Sequence, residues 1–146
     1  MKHLLGYWNN TTRLPMLIKA GCRASMLIAP LFLFLLIVPV FDWTVNEREV
    51  PYRELWFCGA GPVFATFFAL VGFGAWGAAA RYPASRWGFV LAPILPVTLV
   101  WPLPSSWFTQ EVALSASVLI NGFITAVFIY ICLFYIRGVR EYFQVL

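Results

Sequence analysis

Apolar residues fall into four long blocks, and nearly every charged residue lies in the intervals between them. The blocks run from about Ala24 to Phe41, Leu55 to Ala80, Trp87 to about Leu103, and Val112 to Ile136. At 1.5 Å of rise per residue, helices of these lengths would extend about 25 to 39 Å, and a bilayer's hydrocarbon core is about 30 Å thick. The pattern predicts an all-α membrane protein with four transmembrane helices in a compact bundle. The intervals then become a cytoplasmic or interfacial segment (1–23), an outer loop (42–54), a cytoplasmic turn (81–86), a second outer loop (104–111) and a cytoplasmic tail (137–146), all within a single polytopic domain of 146 residues.

Within the blocks, small residues are patterned. Val112 to Ile136 has no charged residue, yet Ala113, Ser117, Asn121 and Thr125 recur at four-residue spacing. This small, polar stripe is expected to face other helices of the same bundle, with the Leu, Ile, Val and Phe faces toward lipid. In the second block Gly61, Ala65 and Ala69 fall four apart, and Gly74 and Ala78 repeat the interval. Such ridges let a neighbouring helix approach closely. The third block contains Pro93 and Pro96, with Pro102 and Pro104 just beyond, and predicts a kinked helix. Residues 1–23 mix Lys2, Arg13, Lys19 and Arg23 with leucines and aromatics, as suits a segment in the headgroup region.

Composition supports the same class. The hydrophobic fraction is 62% and the charged fraction 11%, against about 45–50% and about 25% in average soluble domains. A water-soluble core could not hide that much apolar surface. The net charge of +4 comes from scattered Lys and Arg with no run that would track phosphates, so no nucleic-acid partner is expected. These residues report orientation instead. With four spans, eight Lys and Arg fall on the side of the termini and two on the other. The positive-inside rule then places both termini in the cytoplasm, in a bacterial-type inner membrane as the best match. Cys22, Cys58 and Cys132 have neither even number nor C-x-x-C spacing, and read as small apolar side chains rather than a disulfide framework or a zinc site.

Candidate chemistry is sparse. No Asp, Glu, Lys, Arg or His falls in the middle of a block, where coupled transporters keep an ionisable group. The single histidine, His3, is near the N-terminus. No catalytic residue, metal site or cofactor follows from the chain, so it reads as a non-enzyme. Asn121 is the strongest polar feature inside a block and reads first as an interhelical hydrogen-bonding group. The outer loop carries six charges in thirteen residues. Its Glu47, Arg48, Glu49, Arg53 and Glu54 are the candidate contacts for a partner, since complementary charge confers specificity. The reading is a small membrane protein surrounded by lipid. It acts through contacts with another integral membrane protein or with itself as a homo-oligomer, as an accessory subunit or an immunity- or exclusion-type protein. The alternatives are an oligomeric channel or small transporter, and then a membrane enzyme acting on a lipid or lipid-linked substrate.

Overall fold

The computed structural model describes residues 2–38, 43–45, 48–57, 59–99 and 112–144. Among these residues seven α-helices dominate: α1 (Lys2–Asn10), α2 (Met16–Ile37), α3 (Tyr52–Phe57), α4 (Ala60–Ala79), α5 (Arg86–Leu91), α6 (Val112–Tyr135) and α7 (Arg137–Gln144). A two-stranded antiparallel hairpin, β1 (Trp43–Val45) with β2 (Arg48–Val50), precedes α3. Short 3-10 segments cover Thr11–Arg13 and Pro83–Ser85, and a longer one, Ala92–Leu99, continues α5.

Helix α2 starts at Met16, well before the hydropathy boundary at Ala24. Lys19 and Arg23 break the apolar run in sequence, yet Cys22, Met26, Ala29 and Leu36 form one continuous buried stripe. The face is apolar even where the segment is not. That face packs antiparallel on α4. Cys22 Sγ donates to the Ala75 carbonyl (3.4 Å), Ala29 meets Gly72, and Phe32 stacks on Phe68 with ring centroids 5.1 Å apart.

The second block does not form one helix. Gly59 takes φ 86°, a left-handed conformation that costs glycine little, and it separates α3 from α4. Helix α3 folds back over the start of α4, so the Trp56 indole lies where a Cβ on Gly61 would come within 2.9 Å of it. Val50, Leu55, Leu36 and Ala60 make a small buried cluster here, and Tyr52 Oη donates to the Ile37 carbonyl (2.7 Å). The charged segment predicted as an exposed loop is thus partly folded into a cap.

At its other end α4 stops in a Schellman motif. Arg81 N–H bonds to Ala78 O (2.9 Å) and Tyr82 N–H to Gly77 O (2.8 Å), with Arg81 at φ 58° in the position usually held by glycine. The chain turns through Pro83–Ser85 and enters α5, which lies against α4 so closely that a Cβ on Gly88 would sit 2.5 Å from the Leu70 carbonyl oxygen. At Ala92 the helix tightens to 3-10 geometry. Pro93 and Pro96 have no N–H to give an α-helical ladder, and their three-residue spacing puts both on one edge of a 3-10 helix. Helix α6 runs antiparallel along this unit. Gly122 faces the Pro93 carbonyl, and Trp87 packs on Tyr130 and Phe134 with centroids 5.9 and 5.1 Å away. After α6 the tail forms α7, which tucks Val139, Tyr142 and Phe143 beneath the bundle.

Candidate functional site

Helices α1 and α7 meet the end of α4 and donate to two of its last carbonyls. The Ala78 oxygen accepts from Tyr142 Oη (2.8 Å), and the Ala79 oxygen accepts from Asn10 Nδ2 (3.1 Å). The Ala78 oxygen, already bonded to Arg81 N–H, uses its second lone pair for Tyr142, and these bonds tie α1 and α7 to the end of α4.

Three arginines surround this end. The Arg23 guanidinium lies 4.7 Å from the Trp8 ring centroid, with Nε donating to Thr11 Oγ1 (3.0 Å) and Nη2 to the Trp8 carbonyl (3.1 Å). Arg81 lies over Tyr142 (5.5 Å), and its Nε is buried without a hydrogen-bond partner among the described residues. Arg86 packs over Phe134 (4.3 Å) and Phe143 (5.1 Å), donating from Nε to Pro83 O (3.1 Å) and from Nη1 to Leu133 O (3.5 Å). Among the described residues the ion pair is Arg137–Glu141, which is exposed, and no carboxylate pairs with Arg23, Arg81 or Arg86. Burial lowers the Arg86 pKa from its ordinary value, though a guanidinium stays charged. Burial raises the Tyr142 phenol, with the Arg81 charge opposing it.

Beside Arg86 opens an apolar groove of about 560 Å³. One wall is the start of α2, from Met16 to Ser25, and the other is the end of α6, from Phe128 to Ile136. Ala78 and Phe89 lie between, and Phe143 of α7 bounds the terminal end.

The α6 stripe is placed differently from expectation. Ser117, Asn121 and Thr125 are exposed in the chain, with Asn121 Nδ2 donating to Ser117 Oγ (3.0 Å). The residues of α6 that pack inward include Gly122, Ala126, Tyr130, Leu133 and Phe134. Gly122 wins that position because it alone admits the Pro93 carbonyl. The side chain of Ala113 lies outside the described residues. On α4, Gly61, Gly74 and Ala78 are buried, Ala65 is half-buried and Ala69 is exposed. Gly74 receives the Phe89 ring, 2.8 Å from where a Cβ would stand.

Of the loop candidates, Glu47 and the Arg48 side chain lie outside the described residues. Glu49 is exposed and pairs with Thr44 across the hairpin; Arg53 is exposed and lies over the Phe57 ring (5.5 Å); Glu54 is half-buried in α3. Among the described residues, Glu49, Arg53 and Glu54 thus lie in separate settings on the hairpin and α3. Gly88, Gly122, Arg81, Arg86 and Tyr142 escaped the sequence reading. Only Tyr142 left a usable trace, since Val139, Tyr142 and Phe143 are spaced as an amphipathic helical face.

Among the described residues three helices are long and apolar enough to cross a membrane: Met16–Ile37 with 22 residues, Ala60–Ala79 with 20 and Ala116–Tyr135 with 20. Large apolar side chains stand exposed along them, among them Leu27, Leu31 and Phe34 of α2 and Ile120, Ile124 and Phe128 of α6. The chain is of the multi-pass helical membrane class. No family model, curated protein or solved structure matches it.

Proposed function

We propose that the chain is a four-span inner-membrane protein, with both termini in the cytoplasm, that works without catalysis by docking α6 against another integral membrane protein or a second copy. The observation that carries this is the outward-facing Ser117–Asn121–Thr125 stripe. The Asn121 amide spends one N–H on Ser117 Oγ; hydrocarbon offers nothing to its remaining N–H and carbonyl, and a second helix supplies partners for them. Such interhelical hydrogen bonds contribute about 0.6 kcal/mol on average and at most about 1.7 kcal/mol. The α5 unit supports the fourth, proline-bent span: six α-helical and eight 3-10 residues rise about 25 Å together. The excess of Lys and Arg beside the termini supports the orientation.

The test is purification in mild detergent followed by mass measurement of the complex. Wild type is expected to carry a stoichiometric partner or form a defined oligomer, and Asn121→Leu to release it while the isolated chain melts as before. A lone monomer for wild type, or an undiminished complex for the variant, refutes the reading. The same stripe favours one second reading, an oligomeric pore lined by these hydroxyls and the amide. In Asn121→Cys a water-soluble thiol reagent would then label the assembled protein, whereas a packed interface protects it.

A further inference from the structure

We propose that the groove beside Arg86 binds an anionic phospholipid, with an acyl chain between α2 and α6 and the phosphate on the Arg86 guanidinium. Three features of the groove point to this occupant. First, its walls are apolar over a limited depth. Met16 to Ser25 and Phe128 to Ile136 line it, which at 1.5 Å per residue is about 13 Å, roughly half the hydrocarbon core. That is the reach of one leaflet. A partner's transmembrane helix, about 10 Å wide and spanning both leaflets, would need a broader and longer channel. Second, the wall is open where a chain would lie. A Cβ on Gly21 meets nothing within 4 Å, and the volume of about 560 Å³ is of ligand-pocket size.

Third, the charge is in the right place. Arg86 begins α5, level with the start of α2 and the end of α6, where headgroups would lie. Two of its donors are held by the Pro83 and Leu133 carbonyls, and its guanidinium carbon lies over the rings of Phe134 and Phe143. The guanidinium is thus pre-oriented. Its remaining N–H groups are free to bind a phosphate, a geometry for which arginine is suited. No carboxylate competes for it among the described residues, and Lys19 lies in the first turn of the helix that forms the facing wall.

Phe128 and Cys132 continue the face of α6 that carries Asn121, a few turns nearer its end, so lipid and partner helix would sit at different depths. Asn121→Leu should therefore leave lipid binding unchanged, which separates this proposal from the preceding one. The experiment is native mass spectrometry of the full chain in mild detergent, titrated with phosphatidylglycerol and, separately, with phosphatidylcholine of identical acyl chains. A one-to-one phosphatidylglycerol adduct is expected, bound about five-fold or more tighter than phosphatidylcholine. Arg86→Gln should abolish that preference, and Gly21→Phe, which fills open space, should abolish both adducts. Glycerol phosphate without acyl chains should not bind. Free Cys132, half-buried in the wall, should be alkylated more slowly when phosphatidylglycerol is present. Equal affinity for the two lipids in wild type, full binding by Gly21→Phe, or a lipid-free dimer that Gly21→Phe dissociates would each overturn the proposal.

Discussion

Gly88→Ala adds one methyl group where α5 crosses the backbone of α4. The new Cβ would sit 2.5 Å from the Leu70 carbonyl oxygen and 3.0 Å from the Gly74 nitrogen. Both atoms belong to the α4 backbone, so no side-chain rotation relieves the contact, and α5 must move off by about half an ångström or more. The movement also loosens Phe89 over Gly74 and Trp87 against Tyr130 and Phe134. Overpacking of this kind costs about 1–3 kcal/mol. Against it stands the helix-propensity gain of alanine over glycine, about 0.5–1 kcal/mol. The net expectation is a loss of about 1–2 kcal/mol. Gly21→Ala is the control: with nothing within 4 Å of the new Cβ, only the propensity gain remains. Unfolding in mixed micelles, titrated with a denaturing detergent and followed by helical circular dichroism, should move the two variants in opposite directions. A Gly88→Ala protein as resistant as wild type would refute the close approach of α5 to α4, and with it the placement of the third apolar block.

Two further substitutions probe the terminal end. Arg81 holds a left-handed conformation that costs a non-glycine residue about 1–2 kcal/mol, so Arg81→Gly should be about 1 kcal/mol more stable than Arg81→Ala, which loses the Tyr142 contact and keeps the strain; equal midpoints would remove the strain from the account. Tyr142→Phe loses the bond to Ala78 O and should cost about 0.5–1.5 kcal/mol at neutral pH. Because burial raises the phenol's folded pKa, its stabilising part is complete below the unfolded value of about 10 and disappears as pH rises through the folded value. Wild type should therefore lose stability in alkali faster than Tyr142→Phe until the two converge, and parallel pH profiles would contradict that.

Much of the architecture was legible in the chain, and the residues show why. Three of the blocks are long and apolar because hydrocarbon demands it, and α6 falls within a residue of its predicted bounds for that reason. The errors lie where a face, a bond or a backbone approach decides. Lys19 and Arg23 hid the start of α2, because hydropathy averages over a turn while packing uses one side of it. Gly59 split the second block through its backbone conformation, which its neighbours do not announce. On the proline block, a short α-helix followed by a 3-10 segment, Gly122 rather than the neighbouring Asn121 takes the contact.

The sequence by itself determined the solvent of this protein: the transfer of long uncharged segments out of water is a local property, summed residue by residue. Read as four spans, it also predicts that most basic residues gather beside the termini. Only the tertiary structure decided what those residues do there. Arg23, Arg81 and Arg86 lie over aromatic rings from other parts of the chain, and Tyr142 and Asn10 reach carbonyls of α4 more than sixty positions away. Such contacts depend on how helices cross, a property of pairs of surfaces in space that no single segment encodes.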